Sequence, residues 1–307
     1  MNAAPLADLL NALEQRAYQF TTPTPSTCRR MAEKALTRAP DLRDIFGWSR
    51  PFAPADLEPS LWSLLQEAQA VVEDASGWRA KVRVSRVHQR LFLHSAFPAN
   101  AEDAVFLGPD SYRFADLIAA ELTSGKPVAT ILDVGAGAGV GGLVAECYAP
   151  GARAILSDIN PQALALARIN AEHSGARTEI RHACGLDGGP EALDLIVSNP
   201  PYVAGASGRT YKDGGDLHGA RLSLDWAIAG MRHLAPGGRF ILYTGSTILD
   251  GGVDQFQHAL GLAVEAQNCH LRYRELDPDI FSGELRRAAY ADAERIAAVG
   301  AVITRPS

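Results

Sequence analysis

Apolar residues recur at helical spacing near the start of the chain, where Leu6, Leu9, Leu10, Leu13 and Ala17 fall on one face of a helix over residues 5–19. Residues 21–26 break the pattern, and Ser26 or Thr27 can cap a second helix that runs to about residue 38. Pro51 and Pro54 break it again before a helical stretch over residues 55–74. Three short helices must cover one another's apolar faces, which predicts a small, mainly helical N-terminal domain over residues 1–100. The period then changes. Ala80, Val82 and Val84 alternate with Arg79, Lys81 and Arg83, and Leu91, Phe92 and Leu93 follow, so a basic hairpin closes this domain in a winged-helix-like arrangement. Beyond a linker at residues 101–104, short apolar runs alternate with helical patterns. Strands are expected at 131–134, 154–158, 178–182, 193–198, 239–243, 268–275 and 295–304. That alternation predicts an α/β domain over residues 101–307 with a Rossmann-like, seven-stranded, doubly wound sheet. The stretch 277–284 interrupts the last strand pair and is too long for a tight hairpin; it belongs to a substrate mouth or a dimer contact.

The 307 residues are 47% apolar and 21% charged, as in soluble globular proteins. The net charge of −6 argues against a protein held to a polyanion mainly by phosphate contacts. Charge is uneven: residues 1–100 carry 12 Lys and Arg against 10 Asp and Glu, the remainder 17 against 25. The cations Arg79, Lys81, Arg83, Arg86, His88 and Arg90 therefore read either as a solvated sheet face or as a docking surface for RNA or an acidic protein. The four cysteines show neither metal-ligand spacing nor a disulfide framework, which fits a reducing compartment. Cys147 and Cys184 fall in elements predicted to be buried. No leader-like segment opens the chain and no run of about 18 apolar residues occurs, so a cytoplasmic protein without a membrane span is expected.

The chemistry begins where the strand at 131–134 ends. Gly137, Gly139 and Gly142 match the spacing of a dinucleotide-binding turn. Counted from the strand, however, the turn starts at Gly135, and the pattern is Asp133-x-Gly135-x-Gly137-x-Gly139. That pattern resembles the first motif of class I methyltransferases that use S-adenosylmethionine. The resemblance puts the turn against the methionine part of the cofactor and Asp133 near its sulfonium. A carboxylate suits that cation, whereas it would repel a pyrophosphate held as close. Asp158, 23 residues after Gly135, ends the second strand and can accept both ribose hydroxyls. Ile159, Cys184 and Gly185 complete the expected adenosyl contacts, although Asp187 is the nearest match to the aspartate that many relatives carry directly after the third strand. Pro109-Asp110-Ser111 resembles the Pro-Asp-Thr of the glutamine methyltransferases, which implies that Asp110 helps to cover the cofactor. Leu107-Gly108 stands where those enzymes have Pro-Arg, and a helix cap by Asp110 or Ser111 is the alternative.

The fourth strand ends in Asn199-Pro200-Pro201-Tyr202. In a doubly wound sheet it lies beside the first strand, so the tetrapeptide faces the ligand crevice. A nitrogen on an sp² carbon is planar, with a delocalised lone pair, and must be fixed before it attacks a methyl group in line. The Asn199 side-chain carbonyl and the Pro200 carbonyl can each accept one N–H. Pro201 stiffens the turn, and Tyr202 offers a flat face for an amide or base. Residues 104–303 thus resemble the Asn-Pro-Pro-Tyr methyltransferases, which modify release-factor glutamine or exocyclic amines of nucleic acids. The resemblance implies S-adenosylmethionine as cofactor, no metal, and a translation-related protein or RNA as acceptor. A small-molecule N-methyltransferase and a cofactor-binding regulator with a nucleic-acid-binding N-terminal module are the alternatives. The Glu-Pro pair that follows the tetrapeptide in glutamine-modifying relatives is absent; Asp213, Asp216 and His218 are the candidate acceptor contacts after it. The sequence leaves the oligomeric state open.

Overall fold

The computed structural model describes residues 1–123, 126–204 and 214–307. The chain forms two compact units. The first comprises Met1–Tyr112, Gly137–Val140 and Asn160–Ala176; the second comprises Arg113–Ala136, Gly141–Ile159 and Arg177–Ser307.

Helix α1 (Ala3–Gln15) buries Leu6, Leu9, Leu10 and Leu13 completely, as their spacing requires. Helix α2 (Pro25–Glu33) starts and stops earlier than the sequence suggests. Thr24, not Ser26 or Thr27, caps it by accepting the Thr27 N–H, with Pro25 at the first helical position. A short helix α3 (Leu42–Phe46) follows on a capping box made by Asp41 and Asp44. The stretch read as one helix over residues 55–74 is three elements: a 3₁₀ turn at Pro54–Asp56, helix α4 (Pro59–Glu67) and strand β1 (Val71–Asp74). Val71 and Val72 are β-branched, and β1 pairs with β2 (Gly77–Ala80). Strands β3 (Val82–Val87) and β4 (Arg90–Ser95) form a second hairpin.

Several residues of the basic alternation are engaged internally. Arg83 is 4% exposed and donates from Nε to the Gly47 carbonyl at 2.7 Å. Arg79 pairs with Asp74 and bonds the Ser49 carbonyl. Arg86 pairs with Glu14, and Lys81 donates to the Gln69 carbonyl.

Helix α5 (Pro109–Thr123) leads to strand β5 (Thr130–Val134) and helix α6 (Val140–Tyr148). Strand β6 (Arg153–Asp158), helix α7 (Pro161–Ser174), strand β7 (Thr178–His182), strand β8 (Leu193–Ser198) and helix α8 (Arg221–His233) follow. The chain ends in β9 (Leu234–Leu249), β10 (Val253–Asp254), α9 (Gln255–Ala266), β11 (His270–Asp277) and β12 (Ala293–Thr304). The sheet order is β11-β12-β9-β8-β5-β6-β7, with the two-residue β10 pairing β9. Strands β7, β6, β5, β8 and β9 are parallel; β12 runs antiparallel to its neighbours. Strand order reverses between β5 and β8, which is where a doubly wound sheet opens a crevice at the C-terminal strand ends. Buried Leu132, Val134, Ile196, Phe240 and Leu242 form part of the core around these strands.

Candidate functional site

Register brings the candidate residues of the second unit to one edge of its sheet. Val134 pairs with Ser198, so Gly135 and Asn199 leave adjacent strands at the same level. Val134 also pairs with Ser157, and Asp158 with His182, so Asp158 and the Cys184–Gly185 turn emerge beside them. Two side chains fix the β5–β8 pair at its ends. The Asp194 Oδ2 accepts from Ala129 N (2.9 Å), Thr130 N and Thr130 Oγ1 (both 3.0 Å). At the crevice end Ser198 Oγ, fully buried, donates to the Val134 carbonyl at 2.8 Å.

Asp133 is 1% exposed, and its Oδ2 accepts the Gly142 N–H at 2.7 Å. The carboxylate therefore satisfies a free donor in the first turn of α6 from a neighbouring strand. Glycine at 141 and 142 makes this approach possible: a Cβ on Gly141 would stand 2.9 Å from Asp133 Oδ1 and 2.7 Å from the Phe114 ring, and one on Gly142 would collide with Leu156. Burial pushes the Asp133 carboxyl up to about 7; the Gly142 amide opposes that shift and the Asp158 carboxylate adds to it. Gly135 has φ +69°. Ile159 is 55% exposed directly after Asp158, so an apolar side chain stands open to solvent beside a carboxylate. Cys184 is exposed and Cys147 only partly buried, so neither is the buried hydrophobe that its element predicted; Cys184 lies just past the end of β7.

Asn199 is half-buried. Pro200 is buried and Pro201 half-buried. Tyr202 is 8% exposed. Its ring lies edge-on to Tyr243 (6.4 Å between centroids) and Phe281 (5.9 Å), over Gly245, where a Cβ would meet Tyr202 Cδ2 at 2.5 Å. Residues beyond the tetrapeptide are held by the segment between β11 and β12. The Tyr290 hydroxyl accepts the Ala204 N–H at 2.8 Å and donates to the His218 carbonyl at 3.4 Å. Of the acceptor contacts named from the sequence, His218 bonds Asp292 at 3.0 Å, Asp216 accepts the Gly219 and Arg221 N–H groups through its backbone carbonyl, and Asp213 lies outside the described residues.

Gly137 and Gly139 belong to the first unit. Both have positive φ (+55° and +85°), and nothing stands within 4 Å of where a Gly137 Cβ would be. Asp110, also of that unit, is 7% exposed in the first turn of α5, where Ser111 Oγ accepts the Gly108 N–H at 3.3 Å. Sequence reasoning missed Trp226 and Tyr290. The half-buried Trp226 indole lies against the turns at both Gly135 and Gly185: Cβ atoms there would stand 3.1 Å from Cη2 and 2.8 Å from Nε1. Neither residue carries a local signal, since each meets its partner across a long stretch of chain. Among the described residues no cluster of His, Cys, Asp or Glu could hold a metal ion.

The chain is similar to several known proteins. Residues 113–213 match the family model described as Methyltransferase small domain. A release factor glutamine methyltransferase of Cereibacter sphaeroides is 34% identical over 139 residues, covering 41% of this chain and 50% of the relative. A ribosomal RNA small subunit methyltransferase C of Pseudomonas aeruginosa is 35% identical over 120 residues, covering 39% of this chain and 33% of the relative. The chain thus spans half the length or less of these curated relatives. In fold, M. jannaschii TYW2 in complex with AdoMet superposes with a TM-score of 0.50 at 11% identity, over 73% of this chain and 87% of that one. PH0793 of Pyrococcus horikoshii gives 0.52 at 12% identity, over 92% and 100%. Residues 113–213 therefore match the methyltransferase small domain model, and the domain that contains them shares its fold with these two structures.

Proposed function

We propose that the protein methylates a planar amide or exocyclic amine nitrogen on a translation-related macromolecule, protein or RNA, in the cytoplasm. The observation that carries this reading is Asn199: a half-buried carboxamide at the C-terminal end of the strand beside the glycine turn. S-adenosylmethionine supplies an electrophilic methyl group on a sulfonium. Asp158 accepts the ribose hydroxyls, Ile159 packs on the adenine, and the Cys184–Gly185 turn edges it. Asp133 sets the first turn of α6 and adds negative charge beneath the sulfonium. Gly135, Gly137 and Gly139 let the backbone approach the methionine portion, and Asp110 covers it.

On the acceptor side, Asn199 Oδ1 and the Pro200 carbonyl accept the two N–H groups of the target. That holds the nitrogen in the plane from which its lone pair meets the methyl carbon. Orientation of this kind can lower a barrier by roughly 7–11 kcal/mol, so a strong base is not required. Tyr202 is packed too tightly to swing over a substrate; its edge contacts with Tyr243 and Phe281 make it the wall that fixes the acceptor plane. The named activities of the relatives, on release-factor glutamine and ribosomal RNA, support a macromolecular acceptor. Residues 1–100 serve as its recognition module, and residues 101–307 carry out the transfer.

The test is transfer of labelled methyl groups from S-adenosylmethionine into lysate from cells lacking the protein, followed by separate protease and nuclease digestion. Release by one treatment alone identifies a protein or an RNA acceptor. Label confined to small molecules would overturn the macromolecular reading, and no label at all would overturn the enzymatic one.

A further inference from the structure

Asn170 sits in the middle of α7 and is 1% exposed, among the buried apolar residues Leu166, Ala167, Ile169 and Ala171. A buried carboxamide is costly unless its polar atoms are paired. Here Oδ1 accepts the Leu93 N–H at 2.8 Å, and Nδ2 donates to the Leu93 carbonyl at 3.0 Å and the Ala138 carbonyl at 2.9 Å. Both amide hydrogens and the oxygen are in use. Leu93 faces Val84 across the β3–β4 hairpin, yet both of its backbone polar groups turn outward to Asn170. The side chain thus extends the β4 ladder as a neighbouring peptide would. Its third bond reaches the glycine turn. Ala138 lies between Gly137 and Gly139, and fixing its carbonyl fixes the Ala138–Gly139 peptide plane. In a trans peptide the Gly139 N–H must then point the opposite way, away from α7. The helix is itself tied to the N-terminal segment at two other places. His173 Nδ1 bonds Asn11 Oδ1 at 2.9 Å, and Asn160 Nδ2 donates to the Asp103 carbonyl at 2.8 Å. All of these residues belong to the first compact unit.

We propose that Asn170 is a positioning residue through which strand β4 of the N-terminal hairpin sets the glycine turn, so that cofactor affinity depends on the state of that hairpin. The inference rests on the reading of the turn as the S-adenosylmethionine site. It implies that an acceptor engaging the hairpin changes cofactor affinity, and by linkage the reverse.

S-adenosylhomocysteine is the probe. Hydrogen exchange on the wild-type protein should show the Leu93 amide slowing roughly tenfold or more when the probe binds, although Leu93 is on the hairpin rather than the turn. Asn170→Asp keeps an acceptor for Leu93 N–H but loses both donations, and should weaken probe binding roughly tenfold, as expected for loss of the one buried hydrogen bond that reaches the turn at Ala138. His173→Ala loosens the same helix without touching the turn and should leave affinity within about twofold, the spread expected of an independent site. Equal losses in the two variants, or unchanged Leu93 exchange in a wild type that binds the probe, would overturn the coupling. A wild type that binds no probe would overturn the cofactor reading instead, and this inference with it. If Asn170→Asp does not fold, the wild-type exchange measurement decides alone.

Discussion

Asn199 and Asp158 should separate chemistry from binding. Asn199→Ala removes an acceptor that orients the target nitrogen, and transfer should fall on the order of a hundredfold or more. Its affinity for S-adenosylhomocysteine, measured by calorimetry, should stay near wild type. Asp158→Ala should do the opposite and weaken cofactor binding first. Unchanged affinity in that variant would remove the ribose assignment. Asp133 gives a pH signature. Its carboxyl is raised by burial to about 7 in the folded chain, against about 3.9 when unfolded. Between those values the folded state holds the extra proton, so this group's contribution to stability falls as pH rises from about 4 to 7 and is level above. Asp133→Asn keeps an oxygen for the Gly142 N–H and should flatten that part of the profile. Urea midpoints at pH 5 and pH 8, compared between wild type and variant, check it; parallel profiles would count against the assignment. Both carboxylates were legible in the sequence as letters at fixed distances from a glycine turn. The direction of Asp133 was not, because it depends on the missing Cβ atoms at 141 and 142, which let the side chain turn into α6.

The tetrapeptide turn depends on an element far from it in sequence. The Tyr290 hydroxyl accepts the Ala204 N–H, and Ala204 is buried. Tyr290→Phe leaves that donor unpaired at a cost of roughly 1–3 kcal/mol. Because Ala204 follows Tyr202 by two residues, the acceptor wall should loosen while the cofactor turn stays put. The expected result is about a tenfold loss of transfer with cofactor affinity unchanged, read as kcat and Kd measured separately; a matching loss of Kd would mean the contact serves the whole domain. At this scale the parallel strands were the legible part. Buried strands read as short apolar runs, and β5, β6 and β8 fall where the runs are, whereas β7 is only half-buried and has Ile180 as its one apolar residue. Strand β1 was read as helix because residues 71–74 are half polar and follow a helical segment; its pairing with β2 decides the conformation, and pairing is not a local property. The sequence suggested that the segment after β11 belonged to a substrate mouth or a dimer contact, but nothing in its letters indicated that Phe281 and Tyr290 would be the residues meeting Tyr202 and Ala204.

Across the whole chain, the boundary near residue 100 drawn from the change of periodicity is cleaner than the packing. The first compact unit holds residues 137–140 and 160–176 as well as the N-terminal segment, because α7 packs on α1 and β4. A period-based reading assigns α7 to the sheet domain, since it sits between β6 and β7 in sequence. Its packing face is decided by Asn170 and by the fully buried leucines of α1, which no local pattern connects. Deleting residues 1–100 would therefore remove α1, whose four core leucines each contribute roughly 1.5–3 kcal/mol on burial. It would also leave the Asn170 carboxamide with only its Ala138 partner. A chain beginning at residue 101 should be insoluble or bind S-adenosylhomocysteine far more weakly than the full chain. The full chain should in turn unfold in a single calorimetric transition that the probe shifts upward, by about 2.7 kcal/mol at a hundredfold excess over Kd. Separate transitions, of which the probe moved only one, would show that residues 1–100 are a detachable module. The glycine turn would then owe its shape to the sheet domain alone.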